Sequence, residues 1–226
     1  MRIGQYIIQI FVACLLAACT SANERLLSSL LYFDGCTSAC WVGIEVGKTS
    51  FDQTQKILVG RYTDQNMNVI LDSMLWRIND VDSSYGTVTF SQGVVDGMLL
   101  FFEESEFTAK DAIQVLGEPL DVMISIEANE SQRQCAGIQL SYPEIGVLAY
   151  LDTTETFKGV AKSQSITGFR FMSPADLQNL QLNVQQDEIA TVVDWQGYKD
   201  YCETISMPPK MPLVVNGTKL ECRAIR

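Results

Sequence analysis

The 226-residue chain reads as an α+β protein: two tandem helix-plus-antiparallel-sheet units, then short C-terminal helices. Three observations predict this. Helix starts of the Thr-x-x-Asp kind occur at Thr49–Asp52 and Thr108–Asp111, each leading into an apolar stretch. Behind each helix come at least three segments in which apolar and polar residues alternate, the mark of half-buried strands. The connections between those segments are short. That favours antiparallel meanders over parallel strands, which need long crossovers.

The N-terminus comes first. Residues 1–18 hold one charge, Arg2, and an apolar run over 7–18 broken only by Gln9. The run is too short to span a bilayer and ends in small residues, as secretory signals do. Its end, Leu16-Ala17-Ala18-Cys19, resembles a bacterial lipobox. In that family of precursors the cysteine thiol receives a diacylglycerol and becomes the first residue of the mature chain. The resemblance implies lipidation at Cys19 and a tether to the lipid bilayer through palmitate-like acyl chains. Each buried methylene contributes about 0.8 kcal/mol to such anchoring. The implied location is extracytoplasmic, on the outer membrane or on the outer leaflet of the cytoplasmic membrane. Thr20 in place of Asp after the cysteine favours the outer membrane.

Residues 19–35 form the tether. Leu26, Leu27, Leu30 and Leu31 repeat at helical spacing, so a short amphipathic helix is expected there. The first unit, residues 36–106, opens with a helix over 49–59, after Gly47-Lys48-Thr49. An alternating strand over 68–78 brings Met74, Trp76 and Ile78 to one face. A polar turn follows over 80–86, then strands over 87–90 and 94–102 joined by Ser91-Gln92-Gly93 as a tight hairpin. The apolar density of residues 98–102 predicts a strand covered on both faces.

The second unit, residues 107–172, opens with a helix over 108–116. Gly117 ends it and Pro119 keeps it from resuming. Strands are expected over 121–127, 135–142, 147–151 and 159–171. The last section, residues 173–226, begins with Ser173-Pro174-Ala175-Asp176, a strong helix start with Pro at the first helical position. Leu177, Leu180 and Val184 follow at helical spacing. A strand over 188–193 and a short helix around 194–204 come next.

Seven cysteines suit an oxidising compartment. Cys36, Cys40, Cys202 and Cys222 are the disulfide candidates, stapling the two ends to the body. Cys135, inside a strand, is expected to be the buried free thiol. The spacing does not give the pairing. A metal site at Cys36-x-x-x-Cys40 is disfavoured, because the chain has no histidine and its other cysteines are scattered.

Sixteen basic against 27 acidic residues, a net charge of −11, exclude nucleic acid as a partner and argue for simple solubility. The absence of histidine removes Ser-His and Cys-His nucleophiles and imidazole bases. No phosphate-binding or dinucleotide glycine pattern is present, and no cofactor is expected. Residues 80–86 alternate oxygen ligands as calcium loops do, but the glycine falls one place late, so the polar-turn reading is preferred. Trp41, Trp76 and Trp195 read as core by default. Trp195, Tyr198 and Tyr201 form the most aromatic stretch and, if exposed, are the candidate partner surface.

Gly47-Lys48-Thr49 before one helix and Val115-Leu116-Gly117-Glu118-Pro119 closing the other resemble the small envelope lipoproteins of the BamE (SmpA/OmlA) type. They are also similar to the tandem units of β-lactamase inhibitor protein. Both families follow a helix with a three- or four-stranded antiparallel sheet and work through protein–protein contacts. The resemblance therefore implies a non-catalytic, protein-binding module of the cell envelope. The rival expectations are an exported carboxylate-dependent hydrolase or carbohydrate-binding protein, and an inhibitor of a secreted enzyme. A cleft with two facing carboxylates beside an aromatic platform would mark the first of these.

Overall fold

The computed structural model describes residues 40–62, 67–78, 83–103, 105, 107–128, 133–153, 159–186 and 190–202, with the strand residues 213–215 and 218–220. Cys19, the tether, Cys36, Cys222 and the candidate calcium ligands Asp80 and Asp82 lie outside them.

The fold is α+β. In chain order, β1 (Cys40–Trp41) and β2 (Ile44–Glu45) form a small hairpin ahead of α1 (Phe51–Arg61). Four strands follow: β3 (Met67–Ile70), β4 (Ser73–Arg77), β5 (Tyr85–Ser91) and β6 (Val94–Phe101). Then come α2 (Ala109–Leu116), β7 (Asp121–Ala128), β8 (Arg133–Tyr142), β9 (Val147–Leu151) and β10 (Ile166–Met172). The chain continues through α3 (Pro174–Gln186) and β11 (Ala190–Asp194) to a short hairpin, β12 (Leu213–Val215) and β13 (Thr218–Leu220).

Strands β3 to β11 make one nine-stranded sheet in the order β11-β7-β8-β9-β10-β6-β5-β4-β3. Every neighbouring pair is antiparallel. The seam between the two meanders is β6 against β10, with Leu99 opposite Arg170. Gly168 lets the seam close, because a Cβ there would sit 2.4 Å from the Leu100 carbonyl oxygen.

Alternation divides the side chains between the two faces of the sheet. The first face carries the main core: Met74, Trp76, Val88, Leu100, Val122, Ile124, Leu140, Ala149, Phe169 and Phe171, closed over by α1 and α2 through Leu58, Ala109 and Ala112. Trp41 stacks on Trp76 with ring centroids 5.3 Å apart. The indole of Trp76 lies where a Cβ on Gly86 would be, so glycine is required opposite it. The second face carries a smaller cluster, Met123, Leu148, Met172 and Leu177, roofed by α3.

The helix ends follow local chemistry. At α2 the Thr108 hydroxyl accepts from the Asp111 N–H (3.3 Å) and the Asp111 carboxylate accepts from the Thr108 N–H (2.9 Å), a reciprocal cap. Gly117 follows at φ 85°. Pro174 is the first residue of α3, and the Ser173 hydroxyl accepts from the Asp176 N–H (3.1 Å). The hairpin at Gln92-Gly93 takes two successive positive φ values, 53° and 78°, the twist that matches right-handed strands.

Four expectations are corrected. Ser50, not Thr49, caps α1: the Thr49 hydroxyl is occupied as acceptor of the Glu45 N–H (2.8 Å), while Ser50 and Gln53 form the reciprocal cap. The helix also runs through Gly60 to Arg61. The single strand over 68–78 is a hairpin, β3–β4, turning at Leu71 with φ 51° and no glycine or proline to announce it. No helix forms at 195–202. β11 instead extends to Asp194 as the ninth strand, paired Val193 to Val122, and the chain then bends at Gly197 (φ 85°). Lastly, β6 is covered on one face only. Met98 and Leu100 are buried, but Phe101 is 36% exposed on the other side.

Candidate functional site

The second face is where the two halves of the sheet differ. α3 crosses β7, β9 and β10 and leaves β3 to β6 bare among the described residues. The pairing registers place three rows of side chains on that bare half. One runs Arg170, Leu99, Thr87, Leu75, Asn68. The next holds Phe101, Tyr85 and Arg77, and the third Gly97, Thr89, Ser73 and Ile70.

The middle of this surface is apolar. Ile70 is 59% exposed and Leu75 36%, and the rings of Tyr85 and Phe101 lie 5.2 Å apart in a tilted pair. Leu71, at the tip of the β3–β4 turn, is 91% exposed while holding a positive φ. An exposed apolar side chain in a backbone region disfavoured by its Cβ serves neither solubility nor local geometry. Scattered surface apolar residues need no explanation, whereas a contiguous set with aromatic residues marks a contact surface. Arg77 and Arg170 flank it. Among the described residues neither makes an ion pair; the pair between Lys48 and Glu45 is elsewhere.

Beside α3 the bare half deepens into a cleft of about 320 Å³, lined by Thr89, Asp96, Gly97, Arg170, Met172, Asp176, Asn179, Leu180 and Asn183. Asp96 reaches its rim because β6 carries a bulge there: Thr89 pairs with Gly97 and Phe90 with Val95, leaving Asp96 unpaired. The cleft offers one guanidinium, two carboxylates and two carboxamides, a set suited to holding a polar or charged group. The aromatic residue at its wall, Phe171, is fully buried and presents no ring to a ligand.

No family model matches the chain, and no curated protein or solved structure matches it significantly.

The aromatic stretch singled out in the sequence is built into the body. Tyr201 is 1% exposed, and its hydroxyl accepts from the Gln196 N–H (2.9 Å) and donates to the Gly197 carbonyl (2.8 Å). Trp195 stacks on it at 6.1 Å and meets Tyr198 edge-on at 5.6 Å, both rings half-buried against the main core. Burial raises the pKa of Tyr198, with the Glu118 and Asp111 carboxylates adding to it, and burial raises Tyr62 and Tyr201 as well. Tyr142 is pushed up furthest, by burial and then by Tyr198, and its hydroxyl has no hydrogen-bond partner among the described residues. These phenols stay protonated at neutral pH.

Cys40 is fully buried, and Cys40 and Cys202 are both disulfide-bonded. Among the described residues no group of three or more Cys, Asp or Glu is placed to hold a metal ion. No described helix is long and apolar enough to cross a membrane.

Sequence reasoning missed the bare half-face, though a signal was present. The run Met98–Leu99–Leu100–Phe101–Phe102 has more apolar residues than one buried face can use. A second buried face and a binding face are the two ways to account for that surplus.

Proposed function

We propose that the chain is an extracytoplasmic lipoprotein held to a bacterial membrane through acylated Cys19, and that its two tandem units form a non-catalytic protein-binding module. The observation that carries the binding role is the bare half-face, on which Ile70, Leu75 and Phe101 are exposed and Arg77 and Arg170 are the cationic side chains. An apolar centre with a charged rim is the anatomy of a protein contact surface.

Several matched details support the two-unit reading. Each unit is a helix followed by four antiparallel strands. The cap of each helix bridges the start of its unit's last strand, Ser50 to Val94 and Thr108 to Ser165. The flanking hydrogen bonds agree atom for atom: Phe51 N–H to Gly93 O and Val95 N–H to Thr49 O in one, Ala109 N–H to Gln164 O and Ile166 N–H to Phe107 O in the other. Both last strands bulge one residue before a glycine, at Asp96 before Gly97 and at Thr167 before Gly168. Matching those glycines turns each seam pair into another seam pair, Gly97–Met172 into Gly168–Phe101, and Leu99–Arg170 into itself. An approximate twofold axis thus passes between Leu99 and Arg170. The same matching sets Trp76 against Tyr142, both buried.

The motif resemblance to BamE-type lipoproteins and to β-lactamase inhibitor protein implies a protein-binding role, and an enzyme to be inhibited is one form the partner could take. Mass spectrometry of the native protein taken from membranes tests the reading. We expect acylated Cys19 as the first residue and a protein partner in stoichiometric amount. A chain that retains Met1, or one that always purifies alone, contradicts it.

One observation favours a second reading, a carboxylate-dependent hydrolase or carbohydrate-binding protein: Asp96 and Asp176 share a cleft. Under that reading Asp96→Asn and Asp176→Asn each abolish glycan hydrolysis or binding. Under ours the protein shows neither activity to lose.

A further inference from the structure

The covered half of the second face serves as a template for the bare half. Following the twofold matching outward through the registers, Met123 corresponds to Ile70, Leu148 to Thr87, Met172 to Phe101 and Ser141 to Leu75. In the second unit these positions are the seat of α3. Met123, Leu148 and Met172 are buried beneath Leu177, Leu180 and Val184, and the Gln181 amide donates to the Ser141 hydroxyl (3.1 Å) and the Asp121 carboxylate (2.9 Å). In the first unit the same positions are open, and Ile70, Leu75 and Phe101 are the exposed residues there.

We propose that the bare half-face seats an amphipathic helix of the protein partner, acidic along its flanks and laid across β3 to β6 as α3 is laid across β7 to β10. The inference rests on the protein-binding and two-unit readings above. The dimensions agree. α3 has 13 residues, and a helix of that length spans about 20 Å, enough to cross four strands spaced about 4.8 Å apart. Charge selects the flanks. The covered half has Pro143 where the bare half has Arg77, and Arg170 sits on the axis at the boundary. Two arginines that make no ion pair among the described residues, at the rim of a chain of net charge −11, favour carboxylates on the incoming helix. The apolar stripe on that helix should recur at i, i+3 and i+7, as Leu177, Leu180 and Val184 do.

The test places a photo-crosslinking amino acid at Leu75, at Phe101 and, as a control, at Leu182 on the outer side of α3 (56% exposed), in the full chain in its native cells. We expect Leu75 and Phe101 to tag one segment of one partner, that segment to carry the apolar helical repeat with flanking Asp or Glu, and Leu182 to tag nothing in it. Arg77→Glu with Arg170→Glu should cut the yield several-fold while leaving the circular dichroism unchanged. Exchanging the partner's acidic flank for Lys should restore it. Cross-links to an extended segment or loop of a partner overturn the helix and leave the protein-binding reading standing. Cross-links to residues 19–35 of the same chain or to a second copy overturn the partner as occupant. Cross-links to lipid alone, or none, remove both.

Discussion

Gly168→Ala tests the seam that joins the two meanders. The added methyl would lie 2.4 Å from the Leu100 carbonyl oxygen, and that oxygen is backbone and cannot rotate away. Relief needs β6 and β10 to part by most of an ångström across Gly168–Phe101 and Phe169–Leu100, in the middle of the sheet and directly under the main core. Overpacking of this kind costs about 1–3 kcal/mol, and for a chain of this size each kcal/mol lowers Tm by roughly 2–4 °C. Gly97, the matched position under the proposed two-unit reading, provides the control. A methyl there meets the Phe171 carbonyl and the Thr89 hydroxyl, both at 3.4 Å, so Gly97→Ala should stay within about 0.5 kcal/mol of the parent. Urea unfolding followed by tryptophan fluorescence reads both, since Trp41 and Trp76 are stacked in the core. Equal effects for the two variants, or the larger loss at Gly97, would refute the close approach at the seam.

Four further outcomes are expected. Tyr142→Phe removes a buried hydroxyl that has no partner, so stability should hold or rise, by up to about 1 kcal/mol in a denaturant titration. The parent should lose stability above about pH 10, where the unfolded phenol ionises while the buried one keeps its proton, and Tyr142→Phe should flatten that fall. Tyr201→Phe should go the other way and cost about 1–3 kcal/mol, because the Gln196 N–H and the Gly197 carbonyl both lose their partner. Leu71→Asn relieves a left-handed backbone and should stabilise the free protein by about 1 kcal/mol while weakening partner recovery; a loss of stability instead would contradict the strain at that turn.

Much of the fold was legible because local chemistry and tertiary packing agree. The cap at Thr108, the stop at Gly117, the hairpin at Gln92-Gly93 and Pro174 opening α3 each have one low-energy use, and the chain uses it. What escaped was set by longer-range contacts. Thr49 looks the better cap until the Glu45 N–H claims its hydroxyl. The β3–β4 turn places Leu71 at its left-handed position, which no turn preference favours. The sequence predicts a strand at β11, but its place at the sheet edge beyond β7 is a matter of topology and not of composition. The site was hidden for a related reason: an apolar strand with one open face has the same sequence as one with two buried faces. Only the placement of α3 over one half shows that, among the described residues, Phe101 and Leu75 have no roof. Of the aromatic residues at 195–201, Tyr201 is tucked beneath Trp195 and buried, while Trp195 and Tyr198 are half-buried, a division that composition does not give.

Hydroxyl-radical footprinting of the protein in its native envelope, set against the purified chain, tests the docking surface most directly. The account predicts that oxidation of Tyr85, Phe101 and Leu75 falls in the envelope while Trp195 and Tyr198 are unchanged. Undiminished oxidation at Tyr85 and Phe101, with protection at Trp195 and Tyr198 instead, would contradict it.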